Sequence, residues 1–182
     1  MESMEQTFTG NADFGRKVSC LVARNGDLIH KAYLQIDLPP LTANTGGTVA
    51  WTRQIGHVIL DEISVEIGGA IIDRHYGMWY TIYNELTQVY EKEDTYMVMI
   101  GNTAVLTTPA STIPAASLYV PLIFWFNKNP GLNRNPENNN PTKMFWISKQ
   151  EPKSIRLHPN REKRCRKNPL EVLTMQNEYL RC

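Results

Sequence analysis

Two short spacings hold the residue types that acid–base or metal chemistry would need. Asp73 and His75 stand two apart, so on a strand a carboxylate and an imidazole share one face. His57 and Asp61 stand four apart. They would share a helical face, and in a strand they lie two pleats apart on the same side. A metal site needs a third ligand at a telling spacing, and none follows; the other histidines are His30 and His158. The expectation is therefore no catalytic residue, no cofactor and no metal. Asp73, Arg74 and His75 instead read as polar structure beside a turn, satisfying loop backbone groups. Cys20, Cys165 and Cys182 are too few and too scattered for a disulfide scaffold or a zinc site. Cys20 falls in a strand pattern without a nearby base, and reads as a buried structural thiol. Gly68-Gly69 and Thr45-Gly46-Gly47 lack the spaced glycines and lysine of a phosphate loop. Trp79, Tyr80, Tyr83, Trp125 and Phe126 could line a groove, but at these periods core packing is expected.

Stepping from these residues to the chain that must position them, 182 residues suffice for one domain, or one domain and a tail. At 42% apolar and 20% charged, the composition is clear of the disordered range. The longest apolar stretch, Leu118 to Phe126, is interrupted by Pro121 and is far short of the roughly 20 residues a membrane helix needs. The acidic, polar opening Met1-Glu2-Ser3-Met4-Glu5-Gln6 does not read as a secretory signal or a presequence. An intracellular, reduced protein is expected. Charge is uneven along the chain. Residues 1–142 carry 9 Lys/Arg against 14 Asp/Glu, net −5, and residues 143–182 carry 10 against 4, net +6. Such a change of sign marks a change of module.

Hydrophobic periodicity supplies the elements. Lys17 to Ala23 and Leu28 to Leu38 are β-type runs separated by Arg24-Asn25-Gly26-Asp27, and Asn-Gly predicts a hairpin turn between them. In the second run Ala32, Leu34, Ile36 and Leu38 alternate with polar residues, as in a half-buried antiparallel strand. His57 to Ile67 reads as a strand, Gly68-Gly69 as a tight turn, and Ala70 to His75 as the returning partner. Trp79, Ile82, Tyr83 and Leu86 recur at helical spacing and predict one short amphipathic helix with that face packed inward. Met97 to Ile100 and Ala104 to Leu106 read as short strands or loop anchors, and Leu118 to Phe126 as the most strongly β-forming stretch. Beyond Leu132 the Asn-rich run 133–141 reads as linker. Met144 to Ile147 allows one short edge strand at best. Asn168-Pro169-Leu170-Glu171 could cap a short helix whose thin stripe is Leu170, Leu173 and Leu180. Many short strands with one helix and no strand–helix alternation predict an all-β antiparallel sandwich.

Several blocks together resemble a known family. They are Phe14-Gly15-Arg16-Lys17; Gly56-His57 running into Asp61-Glu62-Ile63-Ser64-Val65-Glu66-Ile67-Gly68-Gly69; Ile72-Asp73-Arg74-His75-Tyr76-Gly77 with Trp79; Asn84-Glu85-Leu86-Thr87; Val120-Pro121-Leu122 with Phe124-Trp125-Phe126; and Asn129-Pro130-Gly131-Leu132. Over residues 12–132 the chain is similar to the major capsid protein of nucleocytoplasmic large DNA viruses, in its iridovirus, phycodnavirus and mimivirus-like members. The resemblance implies a double jelly roll, of which these blocks fall in the first, with three chains per capsomer and an icosahedral shell. It implies a structural virion protein rather than an enzyme. The expected partners are further copies or full-length capsid protein, in a homotrimer.

After Leu132 the chain departs from the family pattern. The expected division is a truncated jelly-roll domain at 1–132 and an Asn-rich linker with a basic tail at 133–182, poorly ordered. The first jelly roll would then be incomplete, and the isolated chain marginal, aggregation-prone or dependent on full-length partners. A frameshift or read-through would yield such a tail. An alternative is a minor virion component or jelly-roll binding module. Its basic residues 156–167, with Arg156, Arg161, Lys163, Arg164, Arg166 and Lys167, would contact nucleic acid in a salt-sensitive way.

Overall fold

A computed structural model describes residues 2–10, 12–23, 28–44, 46–128, 142–148 and 173–180. The Asn25-Gly26 turn, the linker 133–141 and the basic residues 156–167 lie outside them, as do His158, Cys165 and Cys182.

Strands β1 (Glu2–Thr7), β2 (Lys17–Leu21), β3 (Leu28–Leu38) and the short β4 (Leu41–Thr42) lead to helix α1 (Ile55–Ile59). Strands β5 (Leu60–Ile67) and β6 (Ala70–Tyr76) follow, then helices α2 (Gly77–Thr87), α3 (Tyr90–Met99) and α4 (Ala104–Thr107). Strands β7 (Thr112–Ile113) and β8 (Ala116–Pro121), helix α5 (Trp125–Lys128), and strands β9 (Thr142–Ser148) and β10 (Leu173–Leu180) complete the order. Two antiparallel four-stranded sheets, β1-β10-β3-β8 and β2-β9-β5-β6, make a jelly-roll sandwich, with β4 and β7 paired beside it.

Alternation explains the core. Ala32, Leu34, Ile36 and Leu38 of β3 and Leu118 and Val120 of β8 are buried with Val18 and Cys20 of β2, Ile63 and Val65 of β5, and Met144 of β9. These are the inner faces of two sheets closing on each other. Ile29 is buried too, three residues before Ala32. A register shift opposite, between Glu178 and Tyr179, places Ile29 on the inner face in spite of the odd spacing. The β5–β6 hairpin turns at Gly68 (φ 61°) and Gly69 (φ 89°), as the Gly-Gly pair predicts.

Five expectations are corrected. First, β2 and β3 do not pair with each other. β2 pairs with β9 and β3 with β8 and β10, so the two strands belong to different sheets. A turn signal in the sequence does not say which strands pair on either side of it. Second, the helices exceed the one expected: five occur among the described residues. His57 to Ile59 opens the supposed strand as helix α1. There the Gly56 N–H donates to the Ile100 carbonyl at 2.9 Å, and a Cβ at Gly56 would lie 2.8 Å from Val120 Cγ2. Packing against the chain at Ile100 and Val120 overrides a β-branched run. Met97 to Met99 is helical as the end of α3, and Ala104 to Leu106 as α4. Third, strand β8 ends at Pro121, one further bond running from the Leu122 N–H to the Ala32 carbonyl at 2.9 Å, and the rest of the stretch leads into α5. Fourth, β9 is no edge. It lies between β2 and β5, with Thr142 and Met144 buried and Lys143 exposed between them. Two neighbouring strands offer backbone partners to β9 on both of its edges. Fifth, residues 173–180 form strand β10 rather than the end of a helix, and β10 lies between β1 and β3. The stretch beyond 132 therefore supplies an interior strand to each sheet. With β9 and β10 each of these two sheets has four strands among the described residues.

Candidate functional site

Of the residues singled out for chemistry, His57, Asp73 and His75 lie beside Tyr80 of α2, and Asp61 and Cys20 do not. Asp73 and His75 do meet, with Nε2 of His75 3.2 Å from Oδ1 of Asp73. The His75 ring stacks on Phe124 at 5.0 Å and meets the edge of Tyr80 at 6.0 Å. Burial lowers its pKa, Asp73 opposes that, and Lys128 adds to it. One face of the ring is thus covered by Phe124, and Tyr80 packs edge-on against it. His57 and Asp61 do not meet. His57 is 1% exposed, whereas Asp61 faces solvent from β5. The His57 ring sits between two hydroxyls, with Nε2 2.8 Å from the Tyr96 oxygen and Nδ1 3.3 Å from Oγ1 of Thr81. Burial lowers His57 to about 4 and raises Tyr96 to about 12.

Tyr80 fills the space between the two imidazoles, with ring centroids 5.9 Å from His57 and 6.0 Å from His75. Burial raises the Tyr80 phenol pKa. Gly77 lets α2 come this close: a Cβ there would lie 2.3 Å from the Leu60 carbonyl oxygen and 2.4 Å from that of His57. The site is a packed polar knot joining α1, α2, α3 and β6. Among the described residues no group of three or more His, Cys, Asp or Glu side chains could hold a metal ion. Cys20 is buried, and burial raises it to about 11, far from the thiolate form. Thr81 and Tyr96 carried no sequence signal; their roles depend on contacts across 24 and 39 residues.

The outer side of α2 reverses the sequence expectation. Gly77, Tyr80 and Asn84 face in. Met78, Trp79, Ile82 and Leu86 face out, with Trp79 39% and Leu86 77% exposed. Three of the four residues expected to pack inward, Trp79, Ile82 and Leu86, are thus exposed, and Tyr83 is half-buried. Of the aromatics expected in the core, Tyr80 and Phe126 are buried, and Trp79 is not. Trp79 and Tyr83 lie 5.9 Å apart with the Lys128 ammonium 4.8 Å from the Tyr83 ring. Val89 and Tyr90 after the helix, and Ile71, Ile72 and Tyr76 of β6 before it, are exposed as well. β6 is an edge strand of its sheet, paired only with β5. The Arg74–Glu62 ion pair at 3.3 Å is partly exposed and contributes little, ~0–1 kcal/mol. Exposed apolar side chains gathered on one face of a helix are a common mark of an association surface.

Comparison with known proteins identifies the family. The family model described as "Major capsid protein N-terminus" matches residues 1–134. The major capsid protein of Phaeocystis pouchetii virus is 41% identical over 158 residues, covering 72% of this chain and 30% of the relative. That of Pyramimonas orientalis virus is 45% identical over 134 residues, covering 72% and 33%. The chain thus spans about a third of the length of these relatives. Among solved structures, PBCV-1 VP54, fitted into a reconstruction of the virophage Sputnik, superposes with a TM-score of 0.78 at 27% identity, over 98% of this chain and 41% of that one. The Faustovirus major capsid protein shares the fold, with a TM-score of 0.74 at 13% identity. The structural likeness covers 98% of this chain and so reaches beyond residue 134, where the family model stops, and with that model matching most of its length the chain belongs to the major capsid protein family.

Proposed function

We propose that the chain is a structural, non-enzymatic subunit of an icosahedral large-DNA-virus shell, located in the virion after assembly in the host cytoplasm. It associates with copies of itself or with full-length capsid protein in trimeric capsomers. The observation that carries this reading is the outward apolar face of α2, which serves no purpose in an isolated monomer. Family membership supports it. On this reading residues 1–132 are the capsid portion, shorter than the family's full length, and 133–182 a linker and basic segment that also lends β9 and β10 to the sandwich.

The test is sedimentation velocity of residues 1–182 against the double variant Ile82→Lys/Leu86→Glu. The wild type is expected to self-associate or to co-sediment with full-length capsid protein. The variant should lose at least tenfold in affinity, while its melting stays within about 0.5 kcal/mol of wild type, because both side chains already face solvent. A wild type that stays monomeric and ignores full-length capsid protein would count against the assembly role. The charge asymmetry favours a second reading, nucleic-acid contact by residues 156–167. Binding to duplex DNA that falls steeply with salt, and is lost on replacing those basic residues, would support it.

A further inference from the structure

α3 buries none of its residues. Its first turn carries Glu91 and Glu93, followed by Asp94, and all three are exposed. The helix lies against β8, and its half-buried residues are Tyr96, Met97 and Met99. Its side-chain tie to the body is the hydrogen bond between the Tyr96 hydroxyl and Nε2 of His57, 2.8 Å long. The C-terminal end is fixed separately, through the Gly56 N–H to the Ile100 carbonyl. A helix with so little burial has low local stability and opens more readily than the sheets.

We propose that α3 is an acid-released strap, latched on the neutral imidazole of His57 and freed when that ring takes up a proton. A neutral ring offers one donor and one acceptor, and two hydroxyls satisfy both in either tautomer. A protonated ring would be a buried cation without a free counter-charge. From α2 it faces Thr81 and Tyr80, and from α3 Tyr96. On β6, beyond Tyr80, His75 engages the Asp73 carboxylate, with Lys128 near them. On β5, Asp61 faces solvent and Glu62 pairs with Arg74. On β8, Tyr119 is half-buried between the inward Leu118 and Val120. Burial alone moves His57 to about 4. Lifting α3 uncovers the ring, which then titrates near its ordinary value of about 6.5. The lifted state therefore binds the proton more tightly. The latch is intact above pH 6.5 and weakens as pH falls toward 4. Between pH 7 and 4.5 the opening constant should rise roughly fifty-fold.

Hydrogen exchange of the 182-residue chain, corrected for intrinsic rates, reads this directly. At pH 4.5 peptides within 90–99 should lose protection by that factor relative to pH 7, while those within 60–67 keep theirs. His57→Gln retains a donor and an acceptor but cannot titrate, and should make the response of α3 to pH less than threefold. His75→Gln should leave that response in place. Unchanged protection of 90–99 in the wild type, or the full acid response persisting in His57→Gln, would overturn the proposal. Should His57→Gln fail to fold, the wild-type imidazole resonances decide. Titration of His57 near 4–5 supports the latch, and titration near 6.5 with α3 still protected refutes it.

Discussion

A chain ending at residue 132 is expected not to melt cooperatively, whereas residues 1–182 give one sharp transition. The ground is topological. β9 lies between β2 and β5, and β10 between β1 and β3. Deleting 133–182 removes the strand partner of β1 along all six residues from Glu2 to Thr7, and that of β2 along all five from Lys17 to Leu21. It also strips one side of β3 and one side of β5. What stays near the N-terminus is a single bridge, Thr9 to Ser19. Each ladder hydrogen bond contributes a net ~0.5–1.5 kcal/mol, and burial of Met144 a further ~1.5–3 kcal/mol. Against a total stability of about 5–15 kcal/mol, losing four ladders at once leaves nothing to spare. Val18 and Cys20, buried under this arrangement, would lose their enclosure as well. Circular dichroism melts of the two chains provide the check. A sharp transition of the short form within a few degrees of the long one would show that β9 and β10 are dispensable. A chain ending at 148 separates the two strands: it keeps β9, so β2 should stay protected from exchange while β1 frays.

Why the sequence showed some of this and hid the rest follows from what periodicity encodes. The alternation in β3 and the Gly-Gly turn between β5 and β6 are local signals, and both elements stand where the residues place them. Pairing is not local. Val18 and Cys20 alternate like Ala32 and Leu34, yet they face each other across the sandwich instead of lying side by side in one sheet. α3 is invisible to a periodicity search because beyond Tyr90 its apolar residues gather at its end, Tyr96 to Met99, instead of recurring along one face, and it buries nothing. The stripe Trp79, Ile82, Leu86 was legible as a helix, but a stripe carries no information about which surface covers it. In an assembling protein the covering surface is expected on another molecule. For β10 the apolar residues Leu173, Met175 and Tyr179 recur at a period of two, but Leu170, Leu173 and Leu180 suggested a helix in so polar a stretch. At the candidate site, Asp73 and His75 were legible because two residues on one strand must share a face. The partnership of His57 with Tyr96 and Thr81 was not, because three separate helices create it.

Gly77→Ala tests the packing that holds this site together. At the first position of α2, intrinsic helix propensity favours alanine over glycine by about 1 kcal/mol, so a helix considered alone would gain. The structure predicts the opposite. The added methyl would stand 2.3 Å from the Leu60 carbonyl oxygen and 2.4 Å from the His57 carbonyl oxygen. Both obstacles are backbone atoms, which cannot rotate away as the end of a side chain can. α2 must move outward, carrying Thr81 from His57 and Tyr80 from between the two imidazoles. Overpacking of this kind costs typically ~1–3 kcal/mol, and crowding against backbone belongs at or above the top of that range. A destabilisation of about 3 kcal/mol or more is expected, read as a fall in the urea midpoint. Gly69→Ala supplies the contrast. Nothing lies within 4 Å of its Cβ position, but its φ of +89° strains any L side chain, for about 1–2 kcal/mol. If the two variants lose equal stability, or Gly77→Ala loses less than 1 kcal/mol, α2 does not pack on α1 and β5 this closely. A large loss at Gly77 with a small one at Gly69 would show that glycine is required here for close approach, not for turning the chain.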